Sequence, residues 1–129
     1  MTSIEVPVSI AAALPTLSVM DITNEVSKEV ASSKTRDGIA FVTTMDHLSL
    51  IRVQERETGF FEDIEALLER VVPADASGRV RLVAGLLGPR TESIPVSEGA
   101  LCLGQWQRVM LFSLDGEHRA DWSLTLIGA

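Results

Sequence analysis

Apolar positions repeat with two different periods along this chain, and the switches between them mark its elements. Ile4, Val6, Val8 and Ile10 alternate with Glu5, Pro7 and Ser9, a strand period in which Pro7 restricts the segment to a sheet edge. In DITNEVSKEVASS the period lengthens: Ile22, Val26 and Val30 recur every fourth residue, opposite the polar face of Glu25, Lys28 and Glu29. Asp21 or Thr23 can cap this helix. Asp37-Gly38 then marks a turn into the β-rich run IAFVTT. From His47 to Val53 the alternation returns, with Leu48, Leu50 and Val53 set against Ser49 and Arg52.

A second helix is predicted to open at Gly59. Phe60, Phe61, Ile64, Leu67, Leu68 and Val71 give it a broad apolar stripe, and Pro73 ends it. Glu62 and Asp63 are expected in its first turn and Arg70 in its last, each complementing the helix dipole. Residues 74–79 read as a polar linker. RVRLVAGLLG is compatible with a strand or a short helix, because periodicity alone does not separate them over ten residues. From Thr91 onward the runs ESIPV, EGALCLG, WQRVMLFSL and RADWSLTLIG are β-like, and Asp115-Gly116 predicts a hairpin between the last two. Too few crossover segments remain for a parallel sheet. The expectation is an α+β domain over residues 1–129, mainly antiparallel sheet, with two helices packed on or beside it.

Composition narrows the setting. The chain has 129 residues, 46% of them apolar, enough for a core without disulfides. Its net charge of −7 and scattered basic residues argue against nucleic acid and against an anionic membrane surface. No apolar run reaches the roughly 18 residues a membrane helix needs. Met1 to Ile10 contains no Lys or Arg and does not read as a signal peptide, so a cytoplasmic setting is expected. A lone cysteine, Cys102, leaves no disulfide and no Cys-rich zinc site, and its apolar surroundings predict a core position.

One stretch carries a family signal. Pro95-Val96, Gly99, Leu103-Gly104-Gln105-Trp106-Gln107, the apolar Val109 to Leu111 and Asp115-Gly116 follow in an order that resembles the YjbQ family, also called the secondary thiamine-phosphate synthase family. Upstream, Asp21-Ile22-Thr23, Gly38, the strand around Phe41 and VQERETGFFEDIEALLERVVP fit the same pattern, so the resemblance covers about residues 14–128. Glu55 and Asp63 fall on acidic positions of the family motif. The resemblance implies a trimer of a β-sheet folded on itself, with a pocket near the subunit interface. It also implies weak thiamine-phosphate synthase activity, joining a pyrimidine diphosphate to a thiazole phosphate, and thus a small phosphorylated ligand. Stabilising the departing pyrophosphate calls for a cation or a divalent metal such as zinc.

Three histidines usual in the family are mostly replaced. The first falls on Asp46, or on His47 if the strand slips by one residue; the second has no counterpart; the third falls near Arg81. Asp46 and His47 are therefore the candidate metal ligands, with His47 also a candidate base. Positions 47 and 55 share a strand face by parity. A straight strand nevertheless holds them roughly 26 Å apart, so only a bend or a neighbouring subunit could join them. Glu55, His47 and Gln107 are the catalytic candidates; Gly104, Trp106 and Arg119 are the substrate-binding candidates, Arg119 for an anionic group. Each has a plainer reading. His47 can be a surface or packing residue, Glu55 part of a solvated charge cluster, and Trp106 a core indole. His118 and Arg119 can simply occupy an exposed turn. A non-catalytic binding or structural member, built on the same scaffold without the metal, is the alternative.

Overall fold

In the computed structural model, the chain is described over residues 4–5, 18–45, 48–73, 77–88, 90–114 and 121–129. Among the described residues, eight strands and three helices occur in the order β1 (Ile4–Glu5), β2 (Ser18–Asp21), α1 (Thr23–Ser33), β3 (Gly38–Thr43), β4 (Ser49–Glu55), α2 (Thr58–Val71), α3 (Arg79–Leu87), β5 (Thr91–Ser97), β6 (Ala100–Leu101), β7 (Gln107–Ser113) and β8 (Ser123–Gly128). All described strand pairings are antiparallel, as expected. They build two four-stranded sheets, β1-β2-β7-β4 (sheet A) and β6-β5-β3-β8 (sheet B).

The two sheets pack face to face, and alternation decides which side chains meet between them. Ile51, Val109 and Leu111 from sheet A join Ala40, Val42, Ile94, Val96 and Trp122 from sheet B or its margin. Helix α1 adds Val26 and Val30, and Ile22 just before it joins them, all fully buried in this core. The opposite face of sheet A supplies Val19, Leu50, Met110 and Phe112 to a second core. Helices α2 and α3 cover that core with Phe61, Leu68, Val83 and Leu87. Phe61 lies at its centre, edge-on to Phe112 with ring centroids 6.0 Å apart. The layers are therefore helices, sheet A, sheet B, with α1 serving the inter-sheet core.

Several expectations change. RVRLVAGLLG is a third helix, bracketed by Gly78 and Gly88 with φ of 69° and 116°, positive values that glycine adopts without a Cβ clash. It replaces the end of the expected 74–79 linker, of which residues 74–76 lie outside the described residues. Helix α2 starts at Thr58, not Gly59. Glu57 is its N-cap, accepting from the N–H groups of Gly59 and Phe60, and no acidic residue occupies the first turn, so Glu62 and Asp63 lie one turn later. The expected Asp115-Gly116 hairpin does not pair its flanking strands: β7 is an inner strand of sheet A and β8 an edge of sheet B. Only Ala100–Leu101 of EGALCLG is strand, and Cys102 is exposed instead of buried. In β4, Ser49 is buried along with Leu50 and Ile51, because at this end of the strand Leu50 faces one core and Ile51 the other.

The edge of sheet A at β4 is closed by a side chain. Val53 N–H donates to the carboxylate of Glu92 on β5 at 3.2 Å, joining the sheets where a ladder partner is missing. Arg52 donates to the Leu87 carbonyl and ties the end of α3 to the same strand. Gly38 and Gly128 are register partners whose backbones approach so closely that a Cβ on either would overlap the other strand.

Candidate functional site

At one end of sheet A, the last residues of β4, the β4–α2 connection and the start of β7 come together. Glu55 pairs with Gln107 across the two strands. Glu55, Arg56, Glu57, Gln105, Trp106 and Arg108 line a groove of about 550 Å³. Trp106 is 68% exposed, which overturns the core alternative and makes its indole a wall open to solvent. It sits in a tight turn from Gly104 to Gln107. Gly104 N–H donates to the Gln107 side-chain oxygen at 2.7 Å, while Gln107 N–H returns to the Gly104 carbonyl at 3.1 Å. A Cβ at Gly104 would press on the Gln107 amide, so these two residues shape the turn that presents the indole.

Asp21 lies beneath the groove, and its side chain is wholly buried. Its Oδ1 accepts from both the N–H and the hydroxyl of Thr23, at 3.0 and 2.7 Å, an Asx-type start to α1. The Thr23 hydroxyl in turn accepts from Val109 N–H at 2.7 Å. Asp21 Oδ2 takes the Nε of Arg108 at 2.7 Å and faces an Nη of Arg56 at 3.5 Å. Burial alone would push the Asp21 carboxyl up. The hydrogen bonds from Arg108 and Thr23, with the charge of Arg108, outweigh it and hold the group below the usual carboxylate range.

The two guanidiniums are thereby held from below, and both line the groove, their side chains 38% and 33% exposed. Glu57 is committed to the start of α2. Glu55, exposed at the strand end, is the remaining carboxylate at the wall. Chemically, the groove offers an aromatic face, two fixed cations and two carboxylates, of which Glu57 is already bonded to the start of α2. A second groove of about 490 Å³ runs between α1 and β8, but Glu29, Ser33, Trp122, Ser123, Leu124 and Leu126 line it and it has no cation.

Of the residues singled out from sequence, the fold brings Glu55, Gln107, Trp106 and Gly104 to one place. Asp46, His47, His118 and Arg119 lie outside the described residues. Sequence reasoning missed Asp21, Arg56 and Arg108. The available signal was an Asp-x-Thr before a helix and an Arg opening an otherwise apolar strand, charges that a core-adjacent position must pair. The described residues do not fit a metal: no three His, Cys, Asp or Glu among them converge, and Arg81, where a family histidine would fall, is an exposed guanidinium.

The sequence matches the family model described as UPF0047 protein YjbQ-like over residues 12–129. The chain belongs to the YjbQ-like UPF0047 family. A UPF0047 protein of Methanothermobacter thermautotrophicus is 37% identical over 118 residues, covering 84% of this chain and 82% of the relative. One from Archaeoglobus fulgidus is 35% identical over 107 residues, covering 76% and 82%. Among solved structures, a YbjQ-like protein of unknown function from Sulfolobus solfataricus superposes with a TM-score of 0.79 at 27% identity, over 88% of this chain and 89% of that one. A YjbQ/UPF0047 protein from Clostridium acetobutylicum gives 0.76 at 28%, over 86% and 92%. The α+β antiparallel architecture is thus the YjbQ-like fold. No helix among the described residues is long and apolar enough to cross a membrane.

Proposed function

We propose that this YjbQ-like protein binds a small phosphorylated compound with a planar ring, in the groove between Trp106 and the Arg56–Arg108 pair. One observation carries the reading: a buried carboxylate, Asp21, fixes two arginines from separate segments at the wall of a groove whose other wall is an exposed indole. Guanidinium groups match phosphate in shape and charge, and a ring, cationic or neutral, stacks on Trp. Two guanidiniums against Asp21 leave one net positive charge, which the carboxylates of Glu55 and Glu57 at the wall both oppose. The affinity expected is therefore modest.

A catalytic reading shares the groove, with the Glu55 carboxylate stabilising positive charge that develops on the reacting methylene and Gln107 beside it. It is favoured only by the exposure of Glu55 within that groove. There the ring nitrogen of a thiazole phosphate would bond to the methylene of a pyrimidine diphosphate as pyrophosphate departs.

Isothermal titration with thiamine phosphate, and separately with inorganic phosphate, tests the binding reading. Thiamine phosphate should bind, and Arg56→Gln or Trp106→Ala should weaken it about tenfold, the loss of one charge-assisted bond or one stacking contact. No binding to the unmodified protein, or equal binding by both variants, would sink the reading. Formation of thiamine phosphate from the two precursors, lost in Glu55→Gln, would establish the catalytic one instead.

A further inference from the structure

The groove between α1 and β8 takes no part in the reading above and shares no lining residue with the Trp106 groove. At about 490 Å³ it falls within the roughly 300–1,000 Å³ of small-molecule sites. Alternation builds its floor: Trp122, Leu124 and Leu126 all turn toward the inter-sheet core, and the two leucines are only half-buried there. Helix α1 supplies the other wall, with Glu29 and Ser33 one turn apart on a single face.

Two polar groups of this lining are uncommitted. Trp122 is 7% exposed, and its indole N–H makes no hydrogen bond with any described residue. A donor sealed in without a partner would cost stability, but this one is not sealed and opens into the groove that Trp122 lines. Glu29 is exposed on α1, and its carboxylate makes no ion pair or hydrogen bond with any described residue. Ser33 is already used: its hydroxyl donates to the Val30 carbonyl at 2.6 Å and accepts from Thr35 N–H at 3.1 Å. The lining thus offers apolar surface, one free donor and one negative charge.

We propose that this groove binds a small protonated amine that has an apolar body and a neutral acceptor oxygen. The ammonium pairs with Glu29, the oxygen accepts from the Trp122 N–H, and the body lies on Leu124 and Leu126. Charge complementarity selects this occupant. A carboxylate or phosphate ligand would meet Glu29 with no Lys or Arg in the lining to offset it, on a chain of net charge −7. A wholly apolar ligand would cover the indole N–H and leave it without an acceptor. The site therefore prefers the opposite charge to the Trp106 groove, and the proposal does not rest on that groove.

Tyramine, an amine with an aromatic body and a phenol oxygen, is the probe, followed in nitrogen–proton correlation spectra of the full chain. The chain has two tryptophans and hence two indole N–H signals, which Trp106→Phe assigns by removing one. Tyramine should shift the Trp122 signal saturably, with a dissociation constant of about 1 mM for so small a probe. Glu29→Gln, at an exposed helix position, should weaken binding about fivefold, the upper end for a pair open to solvent. Hydroxyphenylpropionate, which carries a carboxylate in place of the amine, should leave the signal where it is. A Trp122 signal that tyramine does not move, equal affinity in Glu29→Gln, or equal binding of the carboxylate analogue would each overturn the inference.

Discussion

Asp21 and Arg108 are 87 positions apart in sequence and 2.7 Å apart in the structure, joined from carboxylate Oδ2 to guanidinium Nε. The contact pins the end of β2 to the start of β7, and Thr23 fastens the other carboxylate oxygen to the first turn of α1. One side chain thus holds a strand, a helix start and the groove wall in register.

Replacing that charge should be costly. Asp21→Asn keeps the shape but leaves Arg108 half-buried without a counter-charge. We expect a loss of about 2 kcal/mol, below that of a fully buried pair because the arginines reach solvent. Urea denaturation reads it. An unchanged midpoint would mean that water replaces the carboxylate fully.

Acid should act through the same residue. The Asp21 carboxyl is held below its ordinary value of 3.8, so the folded state binds its proton less readily than the unfolded chain. Its contribution is complete above the unfolded value and is lost as pH falls through the depressed folded one. Midpoints measured from pH 5 downward should therefore fall less steeply in Asp21→Asn than in the unmodified protein. Parallel curves would assign acid unfolding to other carboxylates.

Glu55 and Glu57 are two residues apart and should behave differently. Glu57→Ala removes the cap on α2 and should cost about 1 kcal/mol. Glu55→Gln should leave stability unchanged but tighten thiamine phosphate binding several-fold, since it removes a carboxylate that opposes the arginines. Thermal melts and titration calorimetry separate the two effects. Weaker binding in Glu55→Gln would show that the carboxylate contacts the ligand.

Phe61 anchors α2 against sheet A. Phe61→Ala should destabilise by about 3–5 kcal/mol, because Phe112 and Leu68 cannot collapse into the space from two different elements. A cost under about 1 kcal/mol, comparable to a tolerated core swap, would show that the helix re-seats.

Local pattern carried much of the architecture. Ile22, Val26 and Val30 announced α1, and the stripe from Phe60 to Val71 announced α2, because a single buried face imposes the helical period. Ser49 misled for the converse reason: at a strand end where Leu50 faces one core and Ile51 the other, there is no polar face for alternation to display. β7 and β8 were read as a hairpin because neighbouring runs usually pair, whereas here they part into different sheets. For the site, the Gly104–Gln107 turn and Glu55 were legible from motif order. The Asp21–Arg108 contact was not, since nothing local to either residue names its partner.

β7 is bonded to β2 on one side and β4 on the other, and β3 takes β8 as a neighbour. During synthesis, sheet A therefore lacks its connecting strand until residue 113 has been added, and sheet B lacks an edge until residue 128. Val19, Leu50 and Ile51 must wait for β7, a segment made late. Such long-range closure slows folding and leaves a sticky nascent chain. Ribosome-bound chains truncated before Gln107 should be cut by protease throughout, and acquire resistance together once the final strands have emerged.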